Sequence, residues 1–197
     1  MITLHHLNDS RSQRILWLLE ELGKPYEVVR YQRDPVTNLA PPELKAVHPL
    51  GKSPVITDEG EVIAESGLIV DYLIRRHGDG RFAPAMDFQS RDFIAYQHWL
   101  HFAEGSAMLP LMLKLYVGRL GDAGKPLWPR IEGELHNHFA YINQALEGRE
   151  FFVGDSLTGA DVQMSFVFEA ASSRGPFEQY PNMVAFKQRM QLRPAYQ

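Results

Sequence analysis

The sequence predicts a chain of two parts, a small α/β layer structure followed by an all-helical domain. Three observations carry that prediction. Over residues 1–77, short β-type runs alternate with helical patterns and close with a hairpin and a helix, the order expected of a sheet covered by helices. Gly78, Asp79, Gly80 and Pro84 then punctuate the chain as a domain boundary does. Beyond Pro84 the apolar patterns are helical. The expected limits are 1–78 for the first domain, 79–86 for a linker and 87–197 for the helical domain.

Each element has its own signal. Residues 2–6 form a short β-type run. Residues 14–22 carry Ile15, Leu16, Trp17, Leu18, Leu19 and Leu22 and stop at Gly23, a residue suited to the position just past a helix end. Residues 26–31 are rich in β-branched and aromatic side chains and predict a second strand. Residues 35–42 read as a loop, with a helical turn over 42–47. Residues 54–57 and 61–63 make a hairpin around Asp58, Glu59 and Gly60. The helix 66–77 carries Leu68, Ile69, Tyr72 and Leu73. In the second half, 87–119 reads as one long helix kinked at Pro110. Residues 121–125 form a loop, and 127–146, 158–172 and 181–190 predict three more helices.

Composition narrows the function classes. With 45% hydrophobic and 22% charged residues in 197, the chain is long enough to bury a core of useful size. Its 20 Lys and Arg against 24 Asp and Glu give a net charge of −4, and the basic residues are scattered rather than clustered, so no nucleic-acid footprint is present. No apolar run approaches the ~18 residues of a membrane span. The N-terminus lacks a basic segment followed by an apolar one, so no secretory signal is expected and the protein is read as cytoplasmic. There is no cysteine, which excludes disulfides, thiolate metal sites and cysteine nucleophiles. Any thiol chemistry must therefore use a thiol from the substrate.

Chemistry concentrates in two places. The stretch 48–66 runs from a loop into a strand that starts at Pro54, turns, and leads through a second strand into a helix opening with Glu65 and Ser66. That order sets exposed backbone, Lys52 and a helix N-terminus close together, which suits a small extended peptide with a free carboxylate. Ser53, before Pro54, can offer its N–H and carbonyl to such a peptide as an added strand. Ser66 and the first N–H groups of its helix can bind a carboxylate, and Glu65 can accept from an ammonium group. Each of these residues also has a plain reading, as a rigid loop, a helix cap or a solvated lysine. Ser10 is the other place. It stands between the first strand and the first helix, where a hydroxyl can donate to an anion in the field of a helix N-terminus. Ordinary capping explains a serine there as well.

Several alternatives fail on spacing. Gly51, Lys52 and Ser53 resemble the end of a phosphate-binding loop, but Ala46 stands where that motif needs a glycine and Pro54 opens a strand where it needs a helix. No Gly-x-Ser-x-Gly elbow accompanies Ser10. His5 and His6 are strand neighbours facing opposite ways, His136 and His138 do not share a helix face, and His98 and His101 lack a third ligand, so no metal site is expected. Thr158 and Asp161 form a capping box before an apolar helix. Met108, Met112 and Tyr116 recur at i, i+4 and i+8 and can line an apolar pocket, or else pack in the core or against a second subunit.

Taken in order, these features resemble a soluble glutathione transferase, and the likeness runs along essentially the whole chain. It is carried by Ser10 with Arg14 four residues on and Ile15, Leu16 and Trp17 after it; by the run from His48 to Pro54; by Glu65 and Ser66 opening a helix; and by Thr158-x-x-Asp161. The chain is similar to fungal and bacterial members with an N-terminal catalytic serine, related in logic to the theta class. The resemblance implies a thioredoxin-like N-terminal domain before the helical one, and a homodimer. It implies that Ser10 donates to the glutathione sulfur and favours the thiolate, with Arg11 adding a backbone donor nearby. Ser53, before a cis Pro54, would pair its backbone with the cysteinyl part; Glu65 and Ser66 would hold the γ-glutamyl end; Lys52 and His48 would face the glycine carboxylate. Met108, Met112 and Tyr116 would line the pocket for a small apolar electrophile. Glutathione is then a co-substrate, and no other cofactor is expected. Ser53 departs from the apolar residue that many relatives carry, and the loop after Tyr31 is individual. Two other functions fit the same features: a non-catalytic transferase-like binding or regulatory module, and a glutathione-dependent peroxidase acting on organic hydroperoxides.

Overall fold

The computed structural model describes all 197 residues, Met1–Gln197. The chain divides into two compact units, Met1–Ala83 and Pro84–Gln197.

The first unit is a thioredoxin-like layer of sheet and helix. Its elements are β1 (Ile2–Leu7), α1 (Gln13–Leu22), β2 (Tyr26–Tyr31), α2 (Glu43–Val47), β3 (Val55–Asp58), β4 (Glu61–Ala64) and α3 (Ser66–His77). The four strands lie in the order β2-β1-β3-β4. β1 runs parallel to β2, with Ile2 opposite Tyr26, and antiparallel to β3, with His5 opposite Val55; β3 is antiparallel to β4, with Val55 opposite Ala64. Only the parallel pair needs a crossover, and α1 supplies it. The apolar stripe of α1, Ile15, Leu18, Leu19 and Leu22, is buried, and so are Ile69, Val70, Leu73 and Ile74 of α3, the helix beside it. Leu4 and Ile56, partners across the sheet, are fully buried. Each such side chain contributes roughly 1.5–3 kcal/mol by leaving water. α1 ends at Gly23, whose left-handed φ of 64° lets its N–H reach the carbonyls of Leu19 and Glu20.

The second unit is all-helical: α4 (Arg91–Phe102), α5 (Met108–Gly118), α6 (Trp128–Ala145), α7 (Gly159–Arg174) and α8 (Pro181–Gln191), with 3-10 turns at Gly121–Leu127 and Phe177–Gln179. α7 lies in the middle, touching α4, α5 and α8. Buried residues occur all around it, including Asp161, Gln163 and Ser165, so its sequence shows no single apolar stripe. Its first turn is fixed by the expected capping box between Thr158 and Asp161. No helix of the chain is long and apolar enough to cross a membrane.

The long helix expected over 87–119 is interrupted, but not at Pro110. It starts at Arg91, behind Ser90, whose hydroxyl accepts from the Phe93 N–H, and it breaks at the π-helical segment Ala103–Ala107. Pro110 instead falls in the first turn of α5, which continues directly from that segment.

Candidate active site

The strand register brings most of the expected site residues to one end of the first unit's sheet. His5 pairs with Val55 and Val55 with Ala64, so the end of β1, the start of β3 and the end of β4 lie side by side. Ser10 follows the first of these, Ser53 and Pro54 precede the second, and Glu65 and Ser66 follow the third.

Ser53 sits where the antiparallel ladder stops. The Ser53–Pro54 bond is cis. The Ser53 hydroxyl donates to the His5 carbonyl at 2.8 Å and accepts from the Leu7 N–H at 3.3 Å. It thus serves β1 backbone groups at and beyond the last register pair, which an apolar residue could not do. No hydrogen bond within the chain engages the Ser53 backbone N–H or carbonyl. Lys52, just before it, is exposed, and His48 is part-buried. A turn joins these residues: the Gly51 N–H donates to the His48 carbonyl at 2.8 Å. Gly51 has a left-handed φ of 56°, and a Cβ there would lie 2.8 Å from Lys45 Cγ. Both facts require glycine.

Glu65 takes φ 69° and ψ 112°, outside the regions an L-residue prefers. Such backbone costs about 1–3 kcal/mol and persists where the surroundings impose it, typically at ligand clamps. Glu65 is exposed, while Ser66, the first residue of α3, is buried with its N–H at the helix start.

Ser10 lies in the loop between β1 and α1 and is 8% exposed. α1 begins at Gln13, so Ser10 is not the helix cap; that position belongs to Ser12, whose side chain caps nothing. The Ser10 hydroxyl donates to the Leu7 carbonyl at 2.7 Å and lies 2.7 Å from the Ser12 hydroxyl. Ser12, fully buried, lies 2.8 Å from Nδ1 of His6. Arg11 stands between the two serines, part-buried. Burial, and then the charge of Arg30, lower the pKa of His6, while burial alone lowers that of His5, whose ring lies between Tyr31 and Thr57.

Three residues near this end of the sheet were not apparent from spacing. His6 and Ser12 are set apart by the reversal of the loop, so no periodic rule pairs them; the Ser-x-Ser spacing after a strand is the one available signal. Arg33 is the third. Its guanidinium donates to the carbonyls of Asn8, Asp9 and Asn38, each at 3.1 Å. Its own N–H is accepted by the Asn8 side chain at 2.8 Å. The loop after Tyr31 therefore braces the loop that carries Ser10.

The remaining candidates belong to the second unit. Met108, Met112 and Tyr116 are spaced one turn apart on α5 and differ in burial: Met108 is buried, Met112 part-buried and Tyr116 55% exposed.

Comparison with known proteins follows the same division of the chain. Residues 1–75 match the family model for the glutathione S-transferase N-terminal domain, and residues 106–194 match that for the C-terminal domain. Glutathione S-transferase 3 of Schizosaccharomyces pombe is 35% identical over 99% of this chain and 85% of its own length. Glutathione S-transferase 1 of Saccharomyces cerevisiae is 33% identical over 88% of this chain and 82% of its own. The crystal structure of a glutathione S-transferase from Actinobacillus pleuropneumoniae superposes with a TM-score of 0.89 at 36% identity, covering 100% of this chain and 89% of that one.

Proposed function

The chain belongs to the glutathione S-transferase family, and from that membership we propose that it ionises the thiol of glutathione through Ser10 and transfers the thiolate to a small apolar electrophile. The observation that supports this reading is the register of β1, β3 and β4. It sets a hydroxyl, an unpaired stretch of backbone and a helix N-terminus around one end of a sheet.

Each residue then has a task set by its chemistry. The Ser53 backbone takes the cysteinyl part of the tripeptide as an added strand. Ser66 and the N-terminus of α3 accept the γ-glutamyl carboxylate, and Glu65 its ammonium group. Lys52 and His48 meet the glycine carboxylate, and Arg11 adds a donor beside the sulfur. A free thiol has a pKa of about 8.5, so it is largely protonated at neutral pH. Lowering it by about two units takes roughly 2.7 kcal/mol of selective stabilisation of the anion. A hydroxyl donor and the field at the start of α1 together supply energies of that order. The thiol proton leaves to solvent. The thiolate sulfur bonds to the electrophilic carbon, and the leaving group departs with the electron pair of its bond. Apolar contact to the electrophile is assigned to Met108, Met112 and Tyr116, and the working form to a homodimer.

Two measurements test the reading. Calorimetry should show glutathione binding to the wild type and its loss in Glu65→Ala/Ser66→Ala; no binding at millimolar glutathione would sink the proposal. Ser10→Ala should keep that binding while conjugation of an activated aryl halide falls about 10²-fold, as when a single anion-stabilising donor is removed. Unchanged turnover would remove Ser10 from the mechanism.

A further inference from the structure

The reading above asks the Ser10 hydroxyl to point at a sulfur, yet its hydrogen is given to the Leu7 carbonyl at 2.7 Å. A hydroxyl has one hydrogen, and a buried carbonyl left without a donor is costly. Ser10 can turn outward only if something else serves Leu7. Ser12 is the one side chain placed to do so, with its hydroxyl 3.3 Å from the same carbonyl. The Ser12 hydroxyl also has one hydrogen and three neighbours: Leu7 O, Ser10 Oγ at 2.7 Å and His6 Nδ1 at 2.8 Å.

Counting hydrogens decides between two arrangements. With Nδ1 of His6 bare, the ring accepts the Ser12 hydrogen, and the Leu7 carbonyl must keep that of Ser10. With a hydrogen on Nδ1, the ring donates to Ser12, Ser12 donates to the Leu7 carbonyl, and the Ser10 hydrogen is released from the interior. The Ser12 N–H, 3.3 Å from Ser10 Oγ, adds a donor that leaves a lone pair as the acceptor on Ser10. We propose that His6, carrying its hydrogen on Nδ1, acts through Ser12 as the positioning residue that turns the Ser10 hydroxyl toward the glutathione sulfur. This rests on the assignment of Ser10 as the thiol's partner. The ring serves as a neutral imidazole: it is part-buried, and Arg30, opposite it on β2, is the charge that bears on it.

The test compares Ser12→Ala, His6→Phe and His6→Asn, whose side-chain NH2 keeps a donor where Nδ1 stands. The readouts are the pKa of bound glutathione, followed by thiolate ultraviolet absorbance, and kcat with a dinitro-substituted chlorobenzene. Ser12→Ala and His6→Phe should each raise the thiol pKa by about one unit and lower kcat about tenfold, the worth of one hydrogen bond, with glutathione affinity changed less than about twofold. His6→Asn should restore kcat to within about threefold of wild type, which a purely structural role for the ring would not do. Combined with Ser10→Ala, neither substitution should cost more than Ser10→Ala alone.

A raised thiol pKa in Ser10→Ala beside unchanged values in Ser12→Ala and His6→Phe overturns the positioning role alone, as do effects that add to that of Ser10→Ala. An unchanged thiol pKa in Ser10→Ala overturns the serine assignment and the positioning role with it. If His6→Phe does not fold, Ser12→Ala and the rescue by His6→Asn decide the outcome.

Discussion

Arg33 is a single residue on which the geometry of the loop that carries Ser10 depends. Three of its side-chain donors end on backbone carbonyls, two of them in the turn of Asn8 and Asp9, and Asp9 itself takes a left-handed φ of 50°. The three contacts leave from Nε, Nη1 and Nη2, so a rigid planar fork reaches three separated carbonyls that the three clustered hydrogens of one ammonium nitrogen do not span. Arg33→Ala should therefore cost about 1–2 kcal/mol in urea unfolding and lower kcat several-fold by loosening Ser10, and Arg33→Lys should recover little of either. Equal kinetics in Arg33→Lys and wild type would show that charge alone suffices. None of this was legible in the sequence. Arg33 lies in a loop that spacing rules leave blank, and its partners are backbone atoms, which carry no residue signature. The places of Ser10, Ser53, Glu65 and Ser66 in the fold were legible because each sits at the end or the start of a strand, and that position is itself a pattern.

At the scale of elements, α7 shows what one cap controls. The Asp161 carboxylate accepts from the Phe152 N–H at 2.8 Å, the Thr158 N–H at 2.7 Å and the Thr158 hydroxyl at 2.9 Å. Burial nevertheless pushes its pKa up to about 6. The folded value lies above the unfolded one of about 4, so the folded state holds the proton more tightly. The contribution of Asp161 to stability is then greatest at acid pH and falls as pH rises toward about 6. Asp161→Asn should cost about 2–3 kcal/mol, with a larger penalty at about pH 4 than at about pH 7, read from urea midpoints. A penalty that does not vary with pH would mean that the carboxyl does not titrate in this range. Such capping was legible, since Thr158 and Asp161 stand three apart before an apolar run. The break at Ala103–Ala107 was not, because a π-helical turn differs from an α-turn in hydrogen-bond register and has no residue type that demands it. Pro110 was the visible helix breaker, and the interruption lies in the turn before it.

Across the whole molecule, acid acts on the two units in opposite senses. Asp58 of the first unit is buried, which works against ionisation. Hydrogen bonds from His77 and Tyr72, and the charges of His77 and Arg76, outweigh burial and hold its carboxyl below the usual range. A depressed folded pKa gives stability that is present above the unfolded value of about 4 and is lost as pH falls through the folded one. Asp161 of the second unit loses nothing over that descent. Hydrogen exchange read by mass spectrometry at falling pH should therefore show amides of α3 and of the β3–β4 hairpin losing protection before those of α7. Asp58→Asn should narrow the difference, and an inverted order would contradict it.

The π-helical segment Ala103–Ala107 also sets a rotational phase. Successive residues of an α-helix advance about 100° around its axis, so adding one residue there would turn the whole of α5 by about that angle against α4, whereas removing one would let the π-turn close as an α-turn with the phase kept. Met108 and Leu111, now buried, would swing toward water, and Leu109 and Leu113, now 57% and 40% exposed, would turn inward. The number of residues in this short stretch thus works as a dial on which face α5 presents. A relative that differs by a single insertion here would present a different face of α5 without changing one side chain of the helix.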